Sequence, residues 1–329
     1  MLNFNARRLA LALPVIALSM ALFGAMPATA AGEFPTKRIT MLVGYPPGGT
    51  ADRTARVLGE MMGKDLGQPV IVENKSGASQ TIAGTALLAA EPDGHTMLVV
   101  AEIDFVSAVV TAKGLAYKLS DFKTVCGTAT TPYLGLVVKA DSRFKTVDDV
   151  VAEAKAKPGS LSWGTAGLGT GHFWTMELFR REAGVEILHV PYQGGGPAIT
   201  ALLGGQVDLM GGSYALWRPQ LQAGKVRVLL IQGPNRLADL PGIPSYKDKG
   251  WLPALKQGWM RVLVSKRTPD AVVERLSKSC ELIKTDAHAQ KILRDGGAEP
   301  VFFSAAEATK LAQEDENEII PLAKTAQMQ

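Results

Sequence analysis

Beginning at Ile39, short apolar runs alternate with segments whose apolar residues recur every three or four positions, the pattern of strands interleaved with amphipathic helices. Ile39-Thr40-Met41-Leu42-Val43-Gly44 predicts a buried strand that ends in the turn Tyr45-Pro46-Pro47-Gly48-Gly49. Ala55, Leu58, Met62 and Leu66 then share one helical face. Val70-Ile71-Val72 predicts a second strand, followed by a Gly/Ser loop from Ser76 to Gln80 and an Ala-rich helix ending near Ala90. Met97-Leu98-Val99-Val100 predicts a third strand.

The pattern restarts at Leu134 with a strand to Lys139. Thr146-Val147-Asp148-Asp149 is a capping box, in which Thr accepts from the N3 amide and Asp accepts from the cap amide; it opens a helix to about Lys157. Leu161-Ser162-Trp163 leads into the loop Gly167-Leu168-Gly169-Thr170-Gly171 and a helix to Ala183. A strand from Ile187 to Tyr192, the loop Gly194-Gly195-Gly196, a helix from Pro197 to Leu203, and strands over Val207–Met210 and Val226–Ile231 complete this block. The Pro- and Gly-rich segment 233–256 reads as a return connection. After it come a strand from Arg261 to Val264 and a helix with Thr268 as cap and Pro269 at its first position. A last helix opens on the capping box Ser304-x-x-Glu307. The fold class predicted is α/β, with two domains, each a mostly parallel sheet flanked by helices. Assigning the C-terminal tail to the first domain gives 32–130 plus 255–329 for domain 1 and 131–254 for domain 2.

The first 30 residues follow a different rule. Arg7 and Arg8 precede an apolar run from Leu9 to Ala25, broken by Pro14, and Ala28-Thr29-Ala30 is an A-x-A exit. That is the layout of a secretory signal peptide over residues 1–30; a membrane anchor would need a longer unbroken run and no cleavage motif. Cleavage removes two charges from a chain of 329 residues with 35 Lys+Arg and 31 Asp+Glu. At 47% hydrophobic and 20% charged the chain is neither disordered nor fibrous. The near-neutral balance, without a Lys/Arg cluster, excludes a nucleic-acid reader. Two cysteines exclude a disulfide-stapled mini-fold; Cys126 and Cys280 read as core thiols, and an oxidising compartment would allow them to pair.

In parallel α/β sheets, ligands bind at the carboxyl ends of strands against helix N-termini. Four glycine-bearing loops fall at such ends, 45–50, 76–81, 165–171 and 192–196. Each alone is a tight turn; four of them facing across a cleft make an anion pocket of backbone amides that needs no arginine. Catalytic patterns are absent. Gly44-x4-Gly49 is followed by Thr50 and Ala51 rather than the lysine of a phosphate loop, and Gly211-Gly212-Ser213-Tyr214-Ala215 lacks the final glycine of a nucleophile elbow. His95, His172, His189 and His288 are scattered without metal-ligand spacing. No metal, cofactor or catalytic residue is expected.

The segments FPTKRITMLVGYPPGGTADRTAR, LGQPVIVENKSGA, AAEPDGHTMLVV, HVPYQGGGPAITALLGGQVDLM and LQAGKVRVLLIQGPNR resemble the substrate-binding proteins of tripartite tricarboxylate transporters, the Bug or TctC-type family. The resemblance runs in order from Phe34 to Val301. It implies a monomeric, two-domain clamshell of the type II periplasmic binding protein kind, located in the periplasm of a Gram-negative bacterium. Such a protein binds a small di-, tri- or aromatic carboxylate and delivers it to a permease of one large and one small integral subunit. The carried-over contacts are Tyr45, Gly48, Gly49 and Asp52 in the first loop, Thr165, Gly169 and Thr170 in another, and Tyr192, Gly194 and Gly196 in the last. Asp52 equally suits a plain dipole-complementing role in the first helical turn. Departures are Gly77-Ala78-Ser79-Gln80, where Ser79 and Gln80 add side-chain donors that could read a ligand group, together with Glu102-Ile103-Asp104 and Gly211-Gly212-Ser213. His172 lies one position early for the family's histidine, and Trp174, Trp217, Tyr45, Tyr192 and Tyr214 serve either an aromatic-friendly pocket or core packing. The alternatives are a receptor that presents its ligand to a sensor, or a periplasmic hydrolase.

Overall fold

The strands are β1 (Ile39–Val43), β2 (Val70–Asn74), β3 (Thr96–Ala101), β4 (Phe122–Thr131), β5 (Leu134–Lys139), β6 (Ser162–Thr165), β7 (Leu188–Pro191), β8 (Leu209–Ser213), β9 (Val226–Gln232), β10 (Gly258–Ser265) and β11 (Glu299–Phe303). The helices are α1 (Thr50–Leu66), α2 (Thr81–Ala89), α3 (Glu102–Thr111), α4 (Val147–Ala156), α5 (Gly171–Ala183), α6 (Gly195–Leu203), α7 (Tyr214–Gln222), α8 (Asp270–Glu281), α9 (Ala287–Asp295) and α10 (Ala305–Ala326). The computed structural model describes residues 34–131, 134–232, 236–237, 239–251 and 258–326. The signal-peptide assignment and parts of the 233–256 connection lie outside these residues.

The strands form two sheets flanked by helices, ordered β11-β4-β10-β3-β1-β2 and β7-β6-β8-β5-β9. Parallel pairing is confined to β2–β1–β3 and β7–β6–β8. The strands that carry the chain into and out of the second sheet run antiparallel to their neighbours, β10 against β3 and β4 and β5 against β8 and β9, and the last strand, β11, runs antiparallel to β4. The central strands are apolar throughout because both faces are covered; Met97 to Val100 of β3 are wholly buried. In the second sheet, Trp163, Phe173, Trp174 and Phe179 pack with Leu136, Val138 and Leu209, while Trp217, Tyr214 and Met210 pack with Val137 and Val228.

Local signals explain most helix ends. In the box that opens α4, the Asp149 amide donates to Thr146 Oγ1 at 3.2 Å and the Thr146 amide to Asp149 Oδ2 at 2.8 Å. Ser304 and Glu307 form the same reciprocal pair ahead of α10. Pro269 differs from expectation: it is the extended cap residue, at φ −58° and ψ 143°, and α8 begins one residue later at Asp270. Helix α3 is not visible in the periodicity, because residues 102–108 are all buried, Glu102, Asp104 and Ser107 included, and no exposed polar stripe alternates with an apolar one. Cys126 on β4 and Cys280 on α8, read as core thiols, are buried and joined by a disulfide, with Cα atoms 6.6 Å apart. Among the described residues no helix is long and apolar enough to cross a membrane.

Candidate functional site

The carboxyl ends of β1 and β3 and the N-termini of α1 and α3 face the N-termini of α5 and α6 and the end of β8. Between them is a cavity of about 90 Å³. The first half contributes Tyr45, Pro46, Pro47, Gly49, Thr50 and Ala51 after β1, Ala101 to Asp104 at the β3–α3 junction, and Gly258, Trp259 and Met260 on β10. The second contributes Leu134, Ala166, Gly171, His172, Gly194 to Pro197, Ser213 and Leu216. Beyond Tyr45 and Pro46 lies another cavity of about 230 Å³, bordered by Gly77, Ala78 and Ser79, by Gly167 and Leu168, and by Tyr192 and Gln193.

Tyr45, Gly49, Gly194 and Gly196 therefore meet at the first cavity, and Tyr45, Ser79 and Tyr192 at the second. Gly48, Asp52, Gln80, Thr165, Gly169 and Thr170, also singled out from sequence, border neither cavity and hold the loops in shape. Gly48, at φ +91°, donates its amide to Asp52 Oδ2 at 2.9 Å. Asp52 is buried, which opposes its charge. Bonds from the Arg56 guanidinium, the Gly48 amide and the Asn74 amide outweigh that and hold its carboxyl below the usual range. Gln80 spends its side chain on the backbone, since its Nε2 donates to Ala101 O at 3.1 Å and its Oε1 accepts from the Ala101 amide at 2.9 Å. Ser79 donates to Leu168 O at 2.9 Å, tying the two halves together. Ala78, Ser79 and Gln80 all have positive φ, at 43°, 47° and 77°, a strained run for residues with side chains. Thr165 contacts His189 Nε2 at 2.7 Å through Oγ1, Gly169 O accepts from Trp174 Nε1, and Thr170 caps α5 by accepting from the Phe173 amide.

Among the cavity residues outside the sequence-derived contact set are Asp104, Ser213, Trp259 and Met260. Ser213 and Asp104 both lie in stretches that depart from the family pattern, and Asp104 is in addition an acid in the first turn after an apolar strand. Its Oδ1 accepts from the Gly171 amide, the first residue of α5, and its Oδ2 accepts from the Tyr45 hydroxyl. Burial raises its carboxyl to about 6, although both donors favour the anion. His172, half-buried against the same cavity, is pushed down by desolvation of its ring to about 4 and is neutral at pH 7. Behind the apolar wall, Trp259 Nε1 donates to Asp315 Oδ2 at 2.7 Å, and Arg261 Nε lies 2.7 Å from buried Glu102. Trp174, Trp217 and Tyr214 belong to the cores rather than to the cavity. Among the described residues no group of His, Cys, Asp and Glu is arranged to hold a metal.

The titration of Asp104 has a measurable consequence. Its folded-state value of about 6 lies above the ordinary value of 3.8, so the folded chain holds this proton more tightly than the unfolded chain. Its contribution to stability is present below pH ~4 and is lost as pH rises through about 6, by up to ~3 kcal/mol. Denaturant titrations of wild type and Asp104→Asn from pH 4 to 7.5 should therefore show wild type losing stability relative to the variant over that window. Parallel curves would exclude it. Glu102, which burial raises to about 7, is common to both proteins and cancels.

Among the described helices that start at the cavity, α1, α3, α6 and α7 have no side-chain cap. Of these, α1 and α6 have glycine at the cap, Gly49 and Gly194, so no side chain stands over their first-turn amides. Uncapped first-turn amides in a small, mostly apolar cavity suit the recognition of a compact anion. The sequence model described as "Tripartite tricarboxylate transporter family receptor" matches residues 54–328. The chain belongs to this receptor family. It is 37% identical over 245 residues, 74% of this chain and 73% of the relative, to a protein encoded in the tcbD–tcbE intergenic region of Pseudomonas sp. strain P51. Its fold matches the periplasmic binding protein BugD at TM-score 0.82 and 27% identity, over 89% of this chain and 98% of BugD. A Rhodopseudomonas palustris protein solved with adipate matches at TM-score 0.82 and 26% identity, over 89% and 98% of the two chains. The receptor is thus a periplasmic solute-binding protein of the Bug type and not an enzyme.

Proposed function

We propose that the receptor captures a small carboxylate in the 90 Å³ cavity and delivers it to a membrane permease with one large and one small integral subunit. The carrying observation is the pair of glycine-capped N-termini, α1 at Gly49 and α6 at Gly194, converging with bare first-turn amides on a cavity with apolar walls. Tyr45, Gly49, Gly194 and Gly196 form the contact set. Gly48, Asp52, Gln80, Thr165, Gly169 and Thr170 shape the loops, and Ser79 and Tyr192 line the approach. The R. palustris protein with adipate supports a carboxylate as the ligand class. The halves act as two lobes, 32–130 with 255–329 and 131–254, which close because a ligand touching both stabilises only the closed arrangement. Export by a signal peptide cleaved after Ala30 agrees with the Cys126–Cys280 disulfide, a bond of oxidising compartments.

Thermal unfolding of the purified protein against a carboxylate library tests this reading. A carboxylate at 100 times its Kd should add about 2.7 kcal/mol of stability. Stabilisation by a neutral sugar or a metal ion, and by no carboxylate, would reject it.

A further inference from the structure

The first half of the molecule sends a carboxylate of its own into the cleft. Asp104 is 8% exposed, borders the cavity, and bridges Tyr45 to Gly171. Other early amides of α5 are also satisfied from within the chain. Phe173 donates to Thr170 Oγ1 at 3.2 Å and Trp174 to Thr170 O at 2.9 Å. The positive end of α5 thus meets an acid that the protein already carries, whereas α1 and α6 have no side-chain cap.

We propose that Asp104 is a specificity residue: it stands where a second ligand carboxylate would bind, so the solute carries one carboxylate and turns an uncharged or cationic end toward Asp104. This rests on carboxylate capture as the function of the cleft. A diacid that keeps both carboxylates within the cavity of about 90 Å³ sets the far one beside the Asp104 charge. At an effective dielectric of about 20, unit charges ~5 Å apart repel strongly enough to cost on the order of 100-fold in affinity. The donors that could offset this, the Gly171 amide and the Tyr45 hydroxyl, are already committed to Asp104. The remaining wall, with Ile103, Leu134, Leu216, Trp259 and Met260, suits a hydrocarbon or aromatic body.

Calorimetric titration at pH 8 with acids that differ by one carboxylate provides the test, with hexanoate against adipate and benzoate against terephthalate as probes. Wild type should bind the monoacid of a pair at least ~30-fold more tightly. Asp104→Asn, which keeps the shape and an acceptor for Gly171, should raise diacid affinity at least ~10-fold and leave the monoacid within ~3-fold. Diacids binding wild type as tightly as monoacids, or an unchanged ratio in the variant, would overturn the role of Asp104 and leave carboxylate capture standing. If no acid of either kind binds wild type, carboxylate capture fails and this inference falls with it.

Discussion

Gly49→Asp should abolish carboxylate binding while leaving the protein folded. Gly49 is the cap of α1, in extended backbone at φ −79° and ψ 175°, and a Cβ there would find only the Pro46 carbonyl, 4.0 Å away. Aspartate is among the preferred cap residues and takes this backbone without strain, so the melting temperature should hold or rise slightly. Binding suffers twice. The new carboxylate accepts from the first-turn amides of α1 that the ligand would otherwise use. It also places a negative charge beside the ligand's own, a repulsion of about 3 kcal/mol at ~5 Å and an effective dielectric of about 20, or on the order of 100-fold. Calorimetry with any carboxylate that wild type binds, alongside a melting curve, separates the two effects. Retained affinity would move the carboxylate away from α1. Asp104 is the native precedent, since it already does at α5 what the introduced aspartate would do at α1.

Only part of this site is legible in the sequence. The β1–α1 and β7–α6 loops announce themselves by glycine clusters after apolar runs, and both border the cavity. Gln80 and Thr165 carried an equally polar signal, yet their side chains are spent on Ala101 and His189. Residue type shows that a side chain can donate; only the fold shows where the donor is used. What Asp104 binds was hidden for the opposite reason. The acid lies in a helix buried on all sides, and its partners are 59 and 67 residues away in sequence. Trp259 and Met260 enter the site from β10, a strand that returns only after the whole second sheet is complete, and no local pattern foretells that placement.

The same return path makes the disulfide a large contributor to stability that can be removed without touching the site. Cys126 sits on β4, the last strand before the chain leaves for the second sheet, and Cys280 sits on α8, after β10 has brought it back. The closed loop spans 154 residues and contains every strand of the second sheet. On the chain-entropy account, opening a loop of that length frees the unfolded state by about 5 kcal/mol at 25 °C. This is a large share of the ~5–15 kcal/mol that holds a protein folded. Cys126→Ser/Cys280→Ser should therefore melt about 10 °C or more below wild type, at roughly 2–4 °C per kcal/mol for a chain of this size class. Part of the loss comes from the native state, because two hydroxyls are left in a fully buried site in place of sulfur. Reducing the wild type with dithiothreitol separates the terms: it opens the loop and leaves two thiols that pack as small apolar groups. Loss of most of the stability on reduction would assign it to the cross-link. A reduced protein within ~1 kcal/mol of the oxidised one in denaturant titration would show that the two halves constrain the unfolded chain little, and that sheet packing alone holds β4 against α8.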